Sequence, residues 1–200
     1  NFGNYVLQKM VDAATTEQIA AVVPRMKDHI LELSENGKSN YVVQKIIQFV
    51  CKRVSDGSVS EAIEEKYRYF LHDIADAMQG KLKELCCHQI GTRVVQCLVG
   101  SLPESWRSRL LKDLVLYFDE LATNYYGSYV LNDALKHGTE EFSESMANKV
   151  QLRVVEYSQD QYASMFVKNF LDNAKFRSNI SWQSVNTCFR QTGSRKDGYQ

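Results

Sequence analysis

The chain has 200 residues with 24 Lys and Arg against 24 Asp and Glu, so its formal net charge is zero. That balance counts against a strongly basic nucleic-acid binder, although charge can still be segregated by face. No run of about 18 or more apolar residues exists, so no membrane-spanning helix is expected.

The opening Asn1-Phe2-Gly3-Asn4 has no basic stretch leading into an apolar one, which is not the pattern of a signal peptide. Five cysteines, Cys51, Cys86, Cys87, Cys97 and Cys188, form no C-x-x-C pair, and their odd, scattered count predicts reduced thiols in an intracellular protein.

In chain order, Phe2 to Ala14 reads as a helix, and Thr15-Thr16-Glu17 punctuates its end with Thr16 placed to cap the next. Ile19, Val22, Val23 and Met26 follow helical spacing, and Pro24 among them predicts a kink or an end. A short helix covers His29 to Glu35, Asn36-Gly37 makes a turn, and a longer helix runs from about Ser39 to Lys52. Ser55-Asp56-Gly57-Ser58 is loop chemistry. Glu61 to Met78 is a long amphipathic helix with Ile63, Tyr67, Phe70, Leu71, Ile74 and Ala75 on one side.

Next come a short helix Lys81 to His88, a helix from about Gly91 to Gly100, and a third that opens at Pro103, a residue suited to a first helical turn. Val115 to Thr123, Gly127 to His137 and Thr139 to Val150 repeat the scheme, with Gly138 as a stop. Val154 to Ser158 and Ser164 to Ala174 follow. Ile180 to Phe189, with Trp182 and Val185, is expected to cap the final core, and Gln191 to Gln200 to be a polar tail. No β pattern is evident, so the expected fold is all-α.

One stretch returns along this series. It reads Gly3-Asn4-Tyr5-Val6-Leu7-Gln8-Lys9, Ser39-Asn40-Tyr41-Val42-Val43-Gln44-Lys45, Gly91-Thr92-Arg93-Val94-Val95-Gln96, Gly127-Ser128-Tyr129-Val130-Leu131-Asn132 and Ala163-Ser164-Met165-Phe166-Val167-Lys168. Asn4 and Asn40 are 36 residues apart, as are Thr92 and Ser128, and Ser128 and Ser164; only Asn40 to Thr92 differs, at 52, one period plus 16. A fixed period of this length marks a solenoid or array.

Ten residues before the motif position stand Ile30, Leu82, Phe118 and Val154; seven before, Leu33, Leu85, Leu121 and Tyr157; six before, Ser34, Cys86, Ala122 and Ser158. Matching apolar and small residues imply one packing solution reused. The unit is short helix, motif helix, third helix, and the extra 16 residues are expected to form a loop plus added turns on the third helix of their copy. Cys86 falls in the small-residue slot and is therefore assigned to the core. Cys86-Cys87-His88 lacks the second cluster that structural zinc needs. No metal site, cofactor or catalytic residue is expected, because no Ser or Cys lies at recognisable spacing from a base. His29, His72, His88 and His137 share no motif context and are read as structural.

On a helix, positions i and i+4 share a face and i+1 lies beside them. Asn40, Tyr41 and Gln44 are thus expected on one exposed strip, with Val42, Val43 and Ile46 turned to the core. Stacked units would align such strips along a continuous concave surface. Amides donate and accept, which suits a base edge, and a ring or guanidinium offers a stacking plane. Alone, each tyrosine or amide would read as filler or as a solvated polar group; recurrence at one offset favours a binding strip.

These motifs resemble those of the Pumilio (PUF) family: G-N-Y-x-x-Q-K, the Arg93 variant, and Gln161-Tyr162-Ala163-Ser164 preceded by Asp160, in five copies from Asn1 to about Asp172. The resemblance implies an α-solenoid, a right-handed, crescent-shaped superhelix of three-helix repeats. It also implies sequence-specific binding of single-stranded RNA, one base per repeat, in mRNA 3′ untranslated regions, for repression, decay or localisation.

It implies uracil reading by Asn4 and Gln8 with Tyr5 stacking, and by Asn40 and Gln44 with Tyr41. Adenine reading falls to Thr92 and Gln96 with Arg93 stacking. Ser128 and Asn132 with Tyr129 depart from the usual pairs, and Ser164 and Lys168 with Met165 depart further. RNA antiparallel to the chain would give 5′-x-x-A-U-U-3′.

The implied division is a partial repeat at 1–28, a repeat at 29–80 with an insertion near 53–68, repeats at 81–113, 114–150 and 151–176, a capping helix at 177–190 and a tail at 191–200. The chain lacks an initiator Met and opens inside a motif copy, so a piece of a longer array is expected. A protein partner is expected at the 53–68 insertion or on the convex face, and the location is expected to be cytoplasmic. The alternatives are a nucleolar PUF-like ribosome-assembly factor, or a protein-interaction scaffold of the HEAT or armadillo kind.

Overall fold

The computed structural model describes residues 3–173, 178–183 and 185–187. Phe189, the end of the expected last motif helix at Ala174, and the tail 191–200 lie outside the described residues. The chain forms two compact units, Asn1–Arg107 and Ser108–Gln200. Among the described residues every regular element is helical.

The first unit holds α1 (Gly3–Ala13), α2 (Thr16–Val22), a 3-10 segment Val23–His29, α3 (Ile30–Glu35), α4 (Ser39–Asp56), α5 (Glu61–Met78), α6 (Leu82–Cys87) and α7 (Gly91–Ser101). Pro24 does end a helix: α2 stops at Val22, and the 3-10 segment absorbs the missing amide. The cap of α2 is Thr15 rather than Thr16. Its hydroxyl accepts from the Gln18 amide while Gln18 reaches back to the Thr15 amide.

The motif helices pack side by side, α1 on α4 and α4 on α7, while α3 and α6 cover α4 and α7. Apolar residues at helical spacing, Val43, Ile46, Ile47 and Val50 on α4, are buried by this stacking.

The insertion is mostly helix. The expected loop at Ser55-Asp56 is instead the end of α4, which runs 18 residues against 11 in α7. Gly57 stops it at φ 59°, the left-handed conformation that only glycine adopts without strain. α5 spans the Glu61 to Met78 read from the pattern and buries Tyr67, Phe70, Leu71 and Ile74, whereas Ile63 and Ala75 are half-buried. The Tyr67 hydroxyl donates to the Thr16 carbonyl at 2.9 Å, which satisfies its one polar group inside the unit.

α8 (Glu104–Leu116) begins in the first unit and continues from Ser108 in the second, which goes on with α9 (Phe118–Ala122), α10 (Tyr125–His137), α11 (Glu140–Gln159) and α12 (Ala163–Asp172). α11 merges two expected helices across a break at Arg153, where φ and ψ are −134° and 24°. α9 and α12 pack on α10, and α11 on α12. Gly127 is demanded by this packing, since a Cβ there would lie 2.7 Å from the Leu121 carbonyl oxygen. Ile180 and Val185 are buried, as a cap requires, while Trp182 is exposed.

The shared offsets hold inside the core. Ile30, Leu82, Phe118 and Val154 are all buried. In the small slot Ser34, Cys86 and Ala122 are fully buried, and Ser158 departs from them by being exposed. Burial pushes the Cys86 thiol far up, and the Cys51 thiol up to about 12, so both are unreactive packing groups.

Candidate nucleic-acid interface

The last four motif helices are each started by a side chain four positions before the motif residue. Asn36 Oδ1 accepts from the amides of Lys38 and Ser39 at 2.9 and 3.2 Å. His88 Nδ1 accepts from those of Ile90 and Gly91 at 3.4 and 3.0 Å. Asn124 Oδ1 accepts from Tyr126 and Gly127 at 2.9 and 3.0 Å, and Asp160 Oδ1 from Tyr162 and Ala163 at 2.8 Å each. Four different residues thus perform one cap, and each orients the helix that follows. This role was legible only as a shared offset carrying Asn, His, Asn and Asp. Reading His88 as unrelated to the repeat missed it.

In the first unit the expected strip is only partly exposed. Asn40 is 1% exposed and Thr92 5%. Asn40 Nδ2 donates to the Asn36 carbonyl at 2.8 Å, and its Oδ1 accepts from Gln44 Nε2 at 3.0 Å. The motif amide is therefore a strut inside the helix stack, because the i−4 carbonyl and the i+4 amide are its nearest partners. What faces solvent is the next residue, Tyr41 or Arg93, with Gln44 and Gln96 half-buried one turn on.

Arg93 and Tyr41 meet: the guanidinium carbon lies 6.0 Å from the ring centroid, and Nη1 donates to the Tyr41 hydroxyl at 3.1 Å. The stacking groups of successive copies are thus neighbours on one face of α4 and α7. Gln44 keeps Oε1 without a partner among the described residues, an acceptor available beside Tyr41. On α1, Tyr5 is exposed, Gln8 is half-buried, and Asn4 has its Oδ1 enclosed without a hydrogen bond.

In the second unit Ser128 is buried and donates to the Tyr125 carbonyl at 2.8 Å. Asn132 Nδ2 donates to the Ser128 carbonyl at 2.8 Å, and its Oδ1 accepts from Asn169 Nδ2 at 2.7 Å. Tyr129 is about half exposed. On α12, Ser164 is half-buried with its hydroxyl 3.4 Å from the Gln161 carbonyl, Met165 is exposed, and Lys168 pairs with Asp172 at 3.5 Å. Tyr125, absent from the expected set, stands exposed beside Tyr129.

Three-helix repeats, stacked within each unit and presenting one exposed side-chain face per middle helix, define a helical-repeat protein of the α-solenoid class. The model for the Pumilio-family RNA binding repeat matches residues 1–23, 29–52, 81–112 and 117–150, more than half of the chain. The chain belongs to that family.

Pumilio homolog 9 of Arabidopsis thaliana is 28% identical over 135 residues, 67% of this chain and 22% of that protein. Meiotic PUF family protein 1 of Schizosaccharomyces pombe is 26% identical over 144 residues, 60% of this chain and 25% of that one. The solved Puf4 RNA binding domain bound to an HO endonuclease RNA 3′ UTR recognition sequence matches with a TM-score of 0.77 at 20% identity, covering 94% of this chain and 54% of that chain. PUF-8 in complex with PBE-RNA matches at 0.72 and 23% identity, covering 88% and 48%. The chain thus spans about half of these solved chains and a smaller part of the curated relatives, and at such identities the structures speak to the fold.

Proposed function

We propose that the chain binds single-stranded RNA sequence-specifically, one nucleotide per copy, as a binding module rather than an enzyme. The observation that carries this reading is the first unit's face. There an exposed ring and an exposed guanidinium, Tyr41 and Arg93, touch across successive motif helices, each one turn from a half-buried amide. Base–aromatic stacking contributes about 1–3 kcal/mol per base, so a few such positions suffice for binding at zero net charge.

The assignment of Asn40 changes in kind. It positions Gln44, whose free Oε1 meets the base edge. By the same scheme Gln8 with Tyr5, and Gln96 with Arg93, complete an A-U-U core in an element 5′-x-x-A-U-U-3′. Ser128 with Asn132, and Ser164 with Met165 and Lys168, face the two undefined nucleotides.

The solved neighbours bound to 3′ UTR recognition sequences support a messenger 3′ untranslated region as the target. The outcome proposed with it is repression, decay or localisation of that messenger, in the cytoplasm. Selection from a random RNA pool tests the reading. Enrichment of A-U-U is expected. A selected pool indistinguishable from its input would transfer the repeat face to a protein partner, the scaffold reading.

A further inference from the structure

Resting on that RNA reading, we propose that the fourth copy holds its nucleotide on a two-ring platform, Tyr125 with Tyr129, and accepts any base there. Two observations carry the inference, one about the groups that would read a base and one about the groups that would hold it.

The reading groups are held by partners within the unit. Both polar atoms of Asn132 are bonded within the unit, Nδ2 to the Ser128 carbonyl and Oδ1 to Asn169. The orientation of the amide is unambiguous, because a carbonyl can only accept. The Ser128 hydroxyl is buried and spends its proton on the Tyr125 carbonyl. Gln44, at the position of Asn132 in the second copy, is one methylene longer and bonds through Nε2 alone, which leaves its Oε1 without a partner among the described residues. Each Asn132 atom keeps one further donor or acceptor site, but both are already tied to partners inside the unit, so the amide cannot turn to suit a particular base edge.

The holding groups are enlarged. Tyr125 precedes Tyr129 by one helical turn on α10, so the two share a face. Their exposures are 47% and 48%, their ring centroids lie 5.3 Å apart at 90°, and the Tyr129 hydroxyl donates to the Tyr125 hydroxyl at 3.3 Å. Tyr125 is braced from behind by Tyr126 at 5.0 Å and by Tyr162 at 5.6 Å. The positions equivalent to Tyr125 in the other copies are Asn1, Gly37, Gln89 and Gln161, so this aromatic is particular to the copy whose reading pair is locked. The hydrogen bond to Tyr125 also holds the Tyr129 phenol above its ordinary value.

Every base has a π face, so stacking on one ring of this perpendicular pair, with the other ring meeting the base at its edge, is tolerant of sequence where hydrogen-bond reading is not. The experiment uses the full chain and four fluorescein-labelled RNA oligonucleotides carrying 5′-ANAUU-3′, identical but for the second nucleotide, titrated by anisotropy. The four dissociation constants are expected to agree within about twofold. Tyr125→Gln, the residue standing at this position in the third and fifth copies, is expected to weaken all four equally by about fivefold or more. Tyr125→Phe, which keeps the ring, stays within about twofold of the parent. Circular dichroism melting of each variant separates binding from folding. Should Tyr125→Gln melt early, cross-linking of the parent by 5-iodouridine at the second nucleotide decides instead, with 125–129 the expected peptide.

Discrimination of tenfold or more among the four bases, parental affinity in a folded Tyr125→Gln, or a cross-link elsewhere would overturn the platform while leaving RNA binding intact. A parent that binds none of the four oligonucleotides removes the RNA reading, and the platform with it.

Discussion

The two units solve the same repeat with different materials. Around its motif helices the first packs aliphatic residues, Ile30, Val43, Ile46, Ile47 and Val50 at α4, then Leu82, Leu85, Val94, Val95 and Leu98 at α7, while its buried rings Tyr67 and Phe70 lie on α5. The second packs rings. Phe118 stands edge-on to Tyr157 at 5.5 Å and to Phe166 at 5.2 Å, and Phe166 is tilted against Phe170 at 6.1 Å. These residues occupy shared offsets, so the repeat conserves polarity and spacing but not side-chain volume.

The polar faces diverge in parallel. The first unit keeps a long amide with an unused acceptor, Gln44, beside a ring. The second locks a short amide, Asn132, and doubles the ring.

The contrast breaks most visibly in the core. Phe118→Ala should lower stability by about 3–5 kcal/mol, because a fully buried ring leaves a cavity. Leu82→Ala, at the same repeat position, should cost less by the roughly 0.5–1.5 kcal/mol that edge-to-face pairing adds. Guanidinium denaturation of both variants reads this difference, and equal losses would mean that the rings merely fill space.

On the binding face Gln44→Ala should reduce preference for uracil at one nucleotide by about tenfold, the worth of one hydrogen bond. Asn132→Ala should change no base preference. Anisotropy titrations with single-base RNA variants compare the two, and loss of discrimination in both would make the units alike.

Arg93→Ala should weaken binding by about fivefold through lost stacking, and reduce the slope of affinity against salt by about 1 if the guanidinium also neutralises a phosphate. Met165→Ala, which carries no charge, should leave that slope unchanged. Smallest is the cap. His88→Ala should cost about 1 kcal/mol of stability, and His88→Asn should restore it, since Asn36 and Asn124 make the same bonds. Urea melts would show an unaltered His88→Ala midpoint if that cap were incidental.

Much of the helix order could be read directly. Glu61 to Met78 shows because an amphipathic stripe and flanking turn residues mark both ends, and Pro24 shows because it has no amide to give. Ser55-Asp56 misled, since loop-forming composition loses to a helix whose next turn is still packed and whose stop is Gly57. The candidate face was legible in its stacking positions, Tyr41, Arg93 and Tyr129, all exposed. Its amide positions misled. Asn40, Thr92 and Ser128 turn inward, and helical spacing alone cannot tell which edge of a polar strip a neighbouring helix covers. Tyr125 escaped notice because only one copy carries it.

Periodicity by itself determined the all-helical repeat and its three-part unit, because a recurring pattern of apolar and small residues admits one economical stacking; the family followed from the likeness of the motif residues. Tertiary structure alone decided which polar groups remain available. That depends on partners far along the chain, such as Asn169 for Asn132, and hydrogen bonds between copies leave no trace in the order of residues.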